Sequence, residues 1–379
     1  MNAMNVLLVS GGSGGHLVPA MALAEHLQPE DRCVLMSTRR PVDRLLAAEA
    51  ASAVEWETIG LQPFTPLWKW LSPLYLARQL RAAGRVRSVI EKAKPDVVVG
   101  FGGYLSAVGV VTARGAGIPS VIHEQNLLPG RANRLLARLA DAVAVSFPET
   151  KSHLPRRAAV ETTGNPIRLQ RGGMTAEQAR ATLGLDREKP VLLVMGGSQG
   201  SRAINRLALA VWEAAPAKYK EEIQLLHLAG TEEAATEAGE AYRRLGVRAA
   251  VFPFLGRMDL ALASATLAVC RAGATGIAEL TAMELPSILI PYPYAGAHQR
   301  ANAEWARGAG GAILLEEKGL TAERLWREVE RLLSDPARLA GMRRALRDRS
   351  DGQAAQRLGE LVRRVFILRQ AQDERMEMR

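Results

Sequence analysis

Cysteine is almost absent from this chain. Cys33 and Cys270 are the only two in 379 residues, which excludes a disulfide framework and shows no metal-type spacing, so a reduced compartment is the expected setting. Aromatic residues are sparse at 5%. No stretch approaches the roughly 18–20 apolar residues that a bilayer-crossing helix needs, which excludes an integral helical membrane protein. The apolar run Val6–Val9 breaks at once into glycines and has no basic region before it, so no secretory signal is expected there. There is no Asp-x-Asp pair to hold a divalent metal against a diphosphate, so no metal and no cofactor is expected. No G-K-[ST] ends a glycine loop, which argues against a P-loop NTPase, and the two main glycine loops lack the G-x-G-x-x-G of nicotinamide-dependent dehydrogenases.

What is present is a foldable, basic chain. A hydrophobic fraction of 48% argues against disorder, and the length favours two domains. The formal charge of +10 invites an acidic partner: nucleic acid, an anionic membrane surface or a phosphorylated substrate. Nucleic acid fits least, because no binding motif is present and the aromatics do not interleave with basic residues as stacking platforms do.

The strongest signal is a repetition. "VLLVSGGSGG" occupies residues 6–15 and "VLLVMGGSQG" residues 191–200, with eight of ten positions identical. Each copy reads as a buried strand, a glycine turn and a helix start, the first βα unit of a doubly wound domain. Short apolar runs support this alternation: Cys33–Met36, Val97–Val99, Val121–His123, Val143–Ser146, Gln224–Leu228, Leu267–Cys270 and Ile288–Ile290 read as further strands. Segments such as Pro19–Leu27, Arg131–Ala140, Ala203–Ala214 and Gly276–Met283 read as helices. Such a pattern predicts parallel sheets covered by helices on both faces. The expected fold is α/β, with two doubly wound Rossmann-like domains facing a central cleft.

The division falls near "TTGNPIR" (Thr162–Arg168), giving domains 1–164 and 165–348. A C-terminal helix over 349–368 is expected to pack back across the junction, and 369–379 is expected to be a disordered tail. The glycine loops suit phosphate, because a helix N-terminus presents unpaired N–H groups and glycine lets an anion approach the backbone. "GGSGGH" (Gly11–His16) and "GGSQGS" (Gly196–Ser201) have this form, and "GFGGY" (Gly100–Tyr104) and "RAGATG" (Arg271–Gly276) have it more loosely. The bland alternative is that the glycines only permit tight strand-to-helix turns.

An ordered set of motifs adds a family resemblance. "GGSGGHLVPA" (Gly11–Ala20), "GGYLS" (Gly102–Ser106), "HEQN" (His123–Asn126), "GNPIR" (Gly164–Arg168), "GGSQGSRAIN" (Gly196–Asn205), "CRAGATGIAE" (Cys270–Glu279) and "HQRANA" (His298–Ala303) follow one another along nearly the whole chain. Together they resemble the MurG family of bacterial UDP-N-acetylglucosamine transferases, glycosyltransferase family 28. The resemblance implies a GT-B fold and an inverting transfer of GlcNAc from UDP-GlcNAc to the MurNAc 4-hydroxyl of undecaprenyl-pyrophosphoryl-MurNAc-pentapeptide (lipid I), giving lipid II for peptidoglycan. A UDP-GlcNAc epimerase of similar two-domain architecture is the alternative.

By the same resemblance, the C-terminal domain would hold UDP-GlcNAc. Arg168 and Ser198 would lie at the nucleotide sugar, Leu255 of "FPFLGR" against uracil, and Ala274, Thr275, Gly276, Ile277, Ala278 and Glu279 along the nucleotide, with Glu279 on the ribose hydroxyls. Gln299, with Asn302, would read GlcNAc hydroxyls, while Asn126 and Ser13, Gly14 and Gly15 would close the sugar side. The acceptor pyrophosphate would sit at Gly14, Gly15, Gly102, Gly103 and Tyr104. Family members commonly carry aspartate two residues before Gln299, where this chain has Ala297.

The chemistry requires a base at the acceptor and positive charge at the leaving UDP. His16 closes the first glycine loop, and an imidazole suits proton abstraction near neutrality. Its alternative is a structural hydrogen bond to the loop or to the acceptor pyrophosphate. Arg168 and the N–H groups around Ser198 are the candidates for the departing phosphate, with a hinge salt bridge as the alternative for Arg168. Finally, "PLWKWLSPLYLARQLRAAGRVRSVI" (Pro66–Ile90) carries two tryptophans, several basic residues and no acidic one. Trp68, Lys69, Trp70, Leu71, Arg78, Arg81 and Arg85 are expected to contact anionic lipid at the cytoplasmic face of the inner membrane, unless the segment is a packed helix with a basic solvated face. Other cell-wall synthesis proteins are conceivable partners there.

Overall fold

The computed structural model describes residues 3–11, 14–48, 54–60, 73–169, 173–294, 297–350 and 352–378. The chain divides into two units, one of residues 1–168 with 353–379 and one of residues 169–352. The first opens with β1 (Asn5–Val9), α1 (Gly14–Ala24), β2 (Arg32–Thr38), α2 (Pro41–Ala48) and β3 (Val54–Ile59). It continues with α3 (Pro73–Ala93), β4 (Val97–Gly100), α4 (Gly103–Gly115), β5 (Ser120–Glu124), α5 (Arg131–Leu136), β6 (Ala142–Val145) and β7 (Val160–Thr162). The seven strands form one sheet in the order β3-β2-β1-β4-β5-β6-β7, and every pairing is parallel.

The second unit repeats the plan with α6 (Ala176–Thr182), β8 (Val191–Met195), α7 (Arg202–Ala214), α8 (Ala217–Glu222), β9 (Gln224–Leu228), α9 (Glu232–Arg244) and β10 (Ala249–Phe252). After these come α10 (Met258–Ser264), β11 (Leu267–Cys270), α11 (Ala274–Ala282), β12 (Ser287–Leu289), α12 (His298–Gly308), β13 (Ala312–Leu314), α13 (Ala322–Leu333) and α14 (Pro336–Arg347). Its parallel sheet runs β10-β9-β8-β11-β12-β13. In β8, Leu192 and Val194 face one apolar cluster, with Trp212 and Trp326, while Val191, Leu193 and Met195 face another, with Ile277 and Leu289. A strand buried on both faces has no polar positions to alternate with, which is why "VLLVM" reads as a solid apolar run.

Strand order reverses direction between β1 and β4 in the first sheet and between β8 and β11 in the second. Ligands of doubly wound sheets bind at such switch points, beyond the carboxyl ends of the strands. The four glycine loops follow those four strands.

Beyond the second unit the chain returns to the first as α15 (Ala354–Glu377), which packs on α1 and on β4, β5 and β6. Leu358, Val362, Val365 and Phe366 are its buried stripe. Arg363 pairs with the fully buried Asp31 side chain, and Arg357 Nε donates to the Thr163 carbonyl at 3.0 Å. The tail expected to be disordered from residue 369 is instead helical to Glu377. Its sequence has no apolar period, but it extends an already nucleated helix and carries an Arg369–Asp373 pair at i,i+4 (3.2 Å).

Candidate functional site

In the first unit the two glycine loops pack on each other around one side chain. Gly102 and Gly103, between β4 and α4, have φ of +98° and +78°. A Cβ on Gly102 would stand 3.2 Å from His16 Nε2, and one on Gly103 would stand 2.7 Å from the Gly11 carbonyl. Only glycine satisfies both the conformation and the approach. His16 sits in the first turn of α1 with Nδ1 3.3 Å from the Gly11 carbonyl. In the tautomer that this contact selects, Nδ1–H donates and Nε2 carries the basic lone pair.

The imidazole is packed in deeply, yet part of the residue stays open. Desolvation holds its pKa below the usual value, opposed by the Gly11 bond and by the negative charges of Glu124 and Asp43. The site therefore keeps a neutral imidazole at neutral pH, as a base requires. Gly14 begins α1 and Gly15 follows it, while Tyr104 lies half-buried in the first turn of α4. Ser13 lies outside the described residues.

Asn126 is held by its neighbour. Its backbone N–H and Nδ2 both donate to Glu124 Oε1, at 2.9 and 3.1 Å. Glu124 Oε2 accepts from Gly130 N at 3.0 Å and Asn133 Nδ2 at 2.8 Å. This buried carboxylate, absent from the sequence-based candidates, shapes the loop that presents Asn126. His123, also buried, donates from Nε2 to the Gly164 carbonyl at 2.9 Å and accepts at Nδ1 from Gln125 Nε2 at 3.2 Å. Burial pushes its pKa down to about 4, which makes it a neutral strut.

Arg168 forms an ion pair with Glu25: its Nε and Nη2 both reach Glu25 Oε1 at 2.8 Å. The salt-bridge alternative for this residue is thus realised within the first unit. Both side chains keep part of their surface in solvent, at 25% and 35% exposure, so the pair is exchangeable and worth about 1 kcal/mol or less.

In the second unit, the loop from Gly196 to Ser201 joins β8 to α7. Gly200 N donates to the Gly197 carbonyl at 2.9 Å, with φ of +91° at Gly197 and +68° at Gly200. The turn leaves Ser198 exposed at its tip. Ser201 caps α7, accepting from Ile204 N at 3.4 Å, and receives Arg271 Nη2 at 2.8 Å. Arg271 is a buried cation that was not singled out from the sequence. It donates to the carbonyls of Ile290 and Pro291, pairs with Glu317 and lies over the Tyr292 ring. Its charge pins the loops after β8, β11 and β12 together; a buried arginine inside "CRAGATG" was the available signal.

The helix α11 starts at Ala274 without a side-chain cap, so its first N–H groups are not satisfied by a capping side chain. Gly276 and Ala278 are partly open, whereas Ala274 and Thr275 are buried. Ile277 is 2% exposed, with its side chain in the core beneath α11. Leu255 is half-buried against the same core. The Glu279 carboxyl has neither a hydrogen-bond nor an ion-pair partner among the described residues, and desolvation raises its pKa to about 7. Gln299 Oε1 accepts from Tyr292 N at 2.9 Å and Ala272 N at 3.2 Å, which leaves its amide hydrogens as the groups to offer a sugar. Asn302 is fully buried, with Nδ2 on the Ala272 carbonyl at 3.2 Å, where it props the loop. Ala297 caps α12 at φ +66° with no side-chain hydrogen bond, a left-handed position that alanine fills at a cost.

Of the expected lipid contacts, Trp68, Lys69, Trp70 and Leu71 lie outside the described residues, as does the Arg78 side chain. Arg81 and Arg85 are exposed on α3, and Leu80 is 65% exposed, while Ala82, Val86 and Ile90 are buried. This part of α3 is a packed helix with a basic outer face. No helix among the described residues is long and apolar enough to cross a membrane.

Comparison with known proteins agrees with this geometry. Residues 6–145 match the glycosyltransferase family 28 N-terminal domain and residues 191–358 the family 28 C-terminal domain. The chain is 40% identical over 370 residues to the UDP-N-acetylglucosamine--N-acetylmuramyl-(pentapeptide) pyrophosphoryl-undecaprenol N-acetylglucosamine transferase of Nocardioides sp., covering 95% of this chain and 97% of that one. The protein of the same name from Acidothermus cellulolyticus is also 40% identical, with 97% and 99% covered. Among solved structures, MurG of Acinetobacter baumannii superposes with a TM-score of 0.69 at 26% identity, over 95% of this chain and 99% of that one. A UDP-N-acetylglucosamine 2-epimerase reaches a TM-score of 0.67 at 17% identity, covering 95% and 96%, a likeness of fold alone. Two doubly wound units of the GT-B type, matched to both halves of one family, lead to a single assignment: the chain belongs to glycosyltransferase family 28.

Proposed function

We propose that this glycosyltransferase moves GlcNAc from UDP-GlcNAc to the 4-hydroxyl of MurNAc in lipid I, forming lipid II. The observation that carries the reading is the neutral His16 imidazole held between two glycine loops, with Nε2 as its basic nitrogen. His16 takes the proton of the acceptor hydroxyl as that oxygen attacks the anomeric carbon, and UDP leaves from the opposite face, so configuration inverts. The N–H groups at the start of α1 and α4, with Gly14, Gly15, Gly102, Gly103 and Tyr104, receive the acceptor pyrophosphate. The loop bearing Ser198 and the start of α7 receives the departing diphosphate, and Arg168 is the guanidinium that exchanges Glu25 for phosphate oxygens. Glu279 accepts from the ribose hydroxyls, the Gln299 amide donates to GlcNAc, and Asn126 closes the sugar side.

The step needs no resident cofactor, because positive charge and backbone N–H groups meet the leaving UDP. The basic face of α3, together with the residues Trp68–Leu71, holds the protein peripherally on anionic lipid at the cytoplasmic face of the inner membrane, where a lipid-linked acceptor is presented. Flotation with anionic liposomes tests this: Trp68→Ser/Trp70→Ser binds less, and unchanged binding refutes the contact.

The decisive assay incubates radiolabelled UDP-GlcNAc with a short-chain lipid I analogue. Release of UDP with label in a disaccharide lipid is expected. Epimerisation of UDP-GlcNAc without acceptor, and no labelled lipid, would replace this reading with the epimerase one.

A further inference from the structure

A buried polar cluster in the second unit takes no part in the chemistry above. Tyr242 on α9, His227 in β9 and Asn205 on α7 are all buried. The Tyr242 hydroxyl lies 2.9 Å from His227 Nδ1, His227 Nε2 lies 3.1 Å from Asn205 Oδ1, and Asn205 Nδ2 donates to the Ala229 carbonyl at 2.9 Å. One set of proton positions satisfies every bond. A carbonyl can only accept, so the Asn205 amide presents nitrogen to Ala229 and oxygen to the imidazole. His227 Nε2 then carries the hydrogen, and Nδ1 accepts from the tyrosine hydroxyl. Burial keeps the imidazole neutral and the phenol protonated.

The chain of bonds ends against a glycine loop. A Cβ on Gly200 would stand 2.4 Å from the Ala229 carbonyl oxygen and 2.8 Å from Gly230 Cα. Conversely, a Cβ on Gly230 would stand 2.3 Å from Gly200 Cα. The carbonyl that Asn205 holds is therefore the wall against which Gly200 of the Gly196–Ser201 turn is pressed, while Arg271 holds the next residue, Ser201.

We propose that Tyr242, His227 and Asn205 form a positioning relay that fixes the Gly196–Ser201 loop and thereby sets affinity for the diphosphate of the sugar nucleotide. The relay rests on the reading of that loop as the donor cradle. None of its three side chains needs to touch the nucleotide; it acts through the Ala229 carbonyl. Removing the tyrosine hydroxyl leaves His227 Nδ1 without its donor, so the tautomer is no longer fixed and the Asn205 amide is free to turn away from Ala229.

The test is calorimetric binding of UDP-GlcNAc together with steady-state kinetics on the full chain. Tyr242→Phe is expected to raise the donor Kd roughly fivefold to thirtyfold, the scale of one lost buried hydrogen-bond partner, with the acceptor KM within twofold of wild type. Asn205→Asp, which places a carboxylate oxygen against the Ala229 carbonyl, is expected to weaken the donor at least as much. Trp212→Phe on the same helix is the control: it disturbs the α7 core outside the relay, and is expected to lower Tm while leaving donor Kd unchanged. Nitrogen NMR should show His227 protonated at Nε2 in wild type and a mixed tautomer in Tyr242→Phe. Unchanged donor Kd in both relay variants, or an equal rise in Trp212→Phe, overturns the relay. If Tyr242→Phe does not fold, the Asn205→Asp result decides. A wild-type protein that binds no UDP-GlcNAc refutes the donor cradle itself, a different outcome from wild-type binding that the relay variants leave intact.

Discussion

Glu279 offers the sharpest test of the donor site, because its protonation and its proposed task are in conflict. Its carboxyl is desolvated, and its pKa is raised from 4.5 to about 7. Accepting two ribose hydroxyls calls for the carboxylate, so protons compete with the donor. With a pKa near 7, the ionised fraction is about one-eleventh at pH 6, half at pH 7 and ten-elevenths at pH 8. If only the ionised form binds, the apparent Kd for UDP-GlcNAc falls about tenfold from pH 6 to pH 8. The diphosphate diester of the donor keeps a constant charge over this range, so the dependence belongs to the protein.

Glu279→Gln removes both the charge and the titration. Donor Kd should become flat with pH and weaker by roughly tenfold to a hundredfold relative to wild type at pH 8, the scale of hydrogen bonds to a charged acceptor. Stability should move the other way. A carboxyl with a raised folded pKa contributes no penalty below pH 4.5, where both states are protonated, and destabilises the fold increasingly as pH rises through 7. The glutamine variant should therefore melt higher than wild type at pH 8 and equally at pH 4. Isothermal titration at pH 6, 7 and 8, with calorimetric Tm at pH 4 and 8, checks both halves. A wild-type Kd that does not change between pH 6 and 8, or a lower Tm for Glu279→Gln at pH 8, refutes the reasoning.

Three further outcomes are expected. His16→Gln should lower kcat by about 10²–10⁴ while leaving donor Kd unchanged, and the wild-type acid limb in kcat should fall below pH 6.5, since burial depresses this imidazole; near-normal turnover at saturating acceptor would remove His16 as base. Arg168→Ala should raise donor KM with little loss of Tm, because the Glu25 pair it forfeits is partly in solvent; an unchanged KM takes Arg168 out of the site. Ala297→Gly should relieve the left-handed backbone by up to about 1 kcal/mol, read as a Tm gain of about 2–4 °C in the second unit, and a lower Tm would refute the strain.

The sequence was informative where burial leaves one reading. The nine strands expected from apolar runs are the interior strands of the two sheets, covered on both faces. The remaining four, β3, β7, β10 and β13, are the sheet edges. Edge strands are short or carry charge, as in "VEWETI" of β3, where Glu55 pairs with Arg32 and Glu57 with Lys92, so they lose the pattern that betrays a buried strand. The same limit applies to the candidate site. Glycine loops announced their positions, because a conformation and a close approach leave few other choices. Glu124, Arg271 and the Asn205 relay stayed hidden, since each works through partners, some as far as 70 residues away in sequence, that only folding assembles. The burial of Asn302 and Ile277 was equally hidden, because motif membership does not say which way each residue faces.

The duplicated decapeptide shows how far a motif alone reaches. Both copies supply a buried strand and a glycine loop that leads into a helix, so both units can offer N–H groups to a phosphate. Their chemistry is set by what packs against the glycines. In the first unit it is an imidazole, wedged against Gly102 and kept neutral by burial, which can move a proton. In the second it is the Ala229 carbonyl, held by an amide and pressed on Gly200, which can only fix a shape. On the proposed function, the first loop serves the reaction and the second holds the leaving group still. Exchanging the decapeptides between units alters only positions 10, 14, 195 and 199; His16 would still meet Gly102 and Asn205 would still hold the Ala229 carbonyl, so the strand pairing and the neighbour packed on each glycine loop should both be kept.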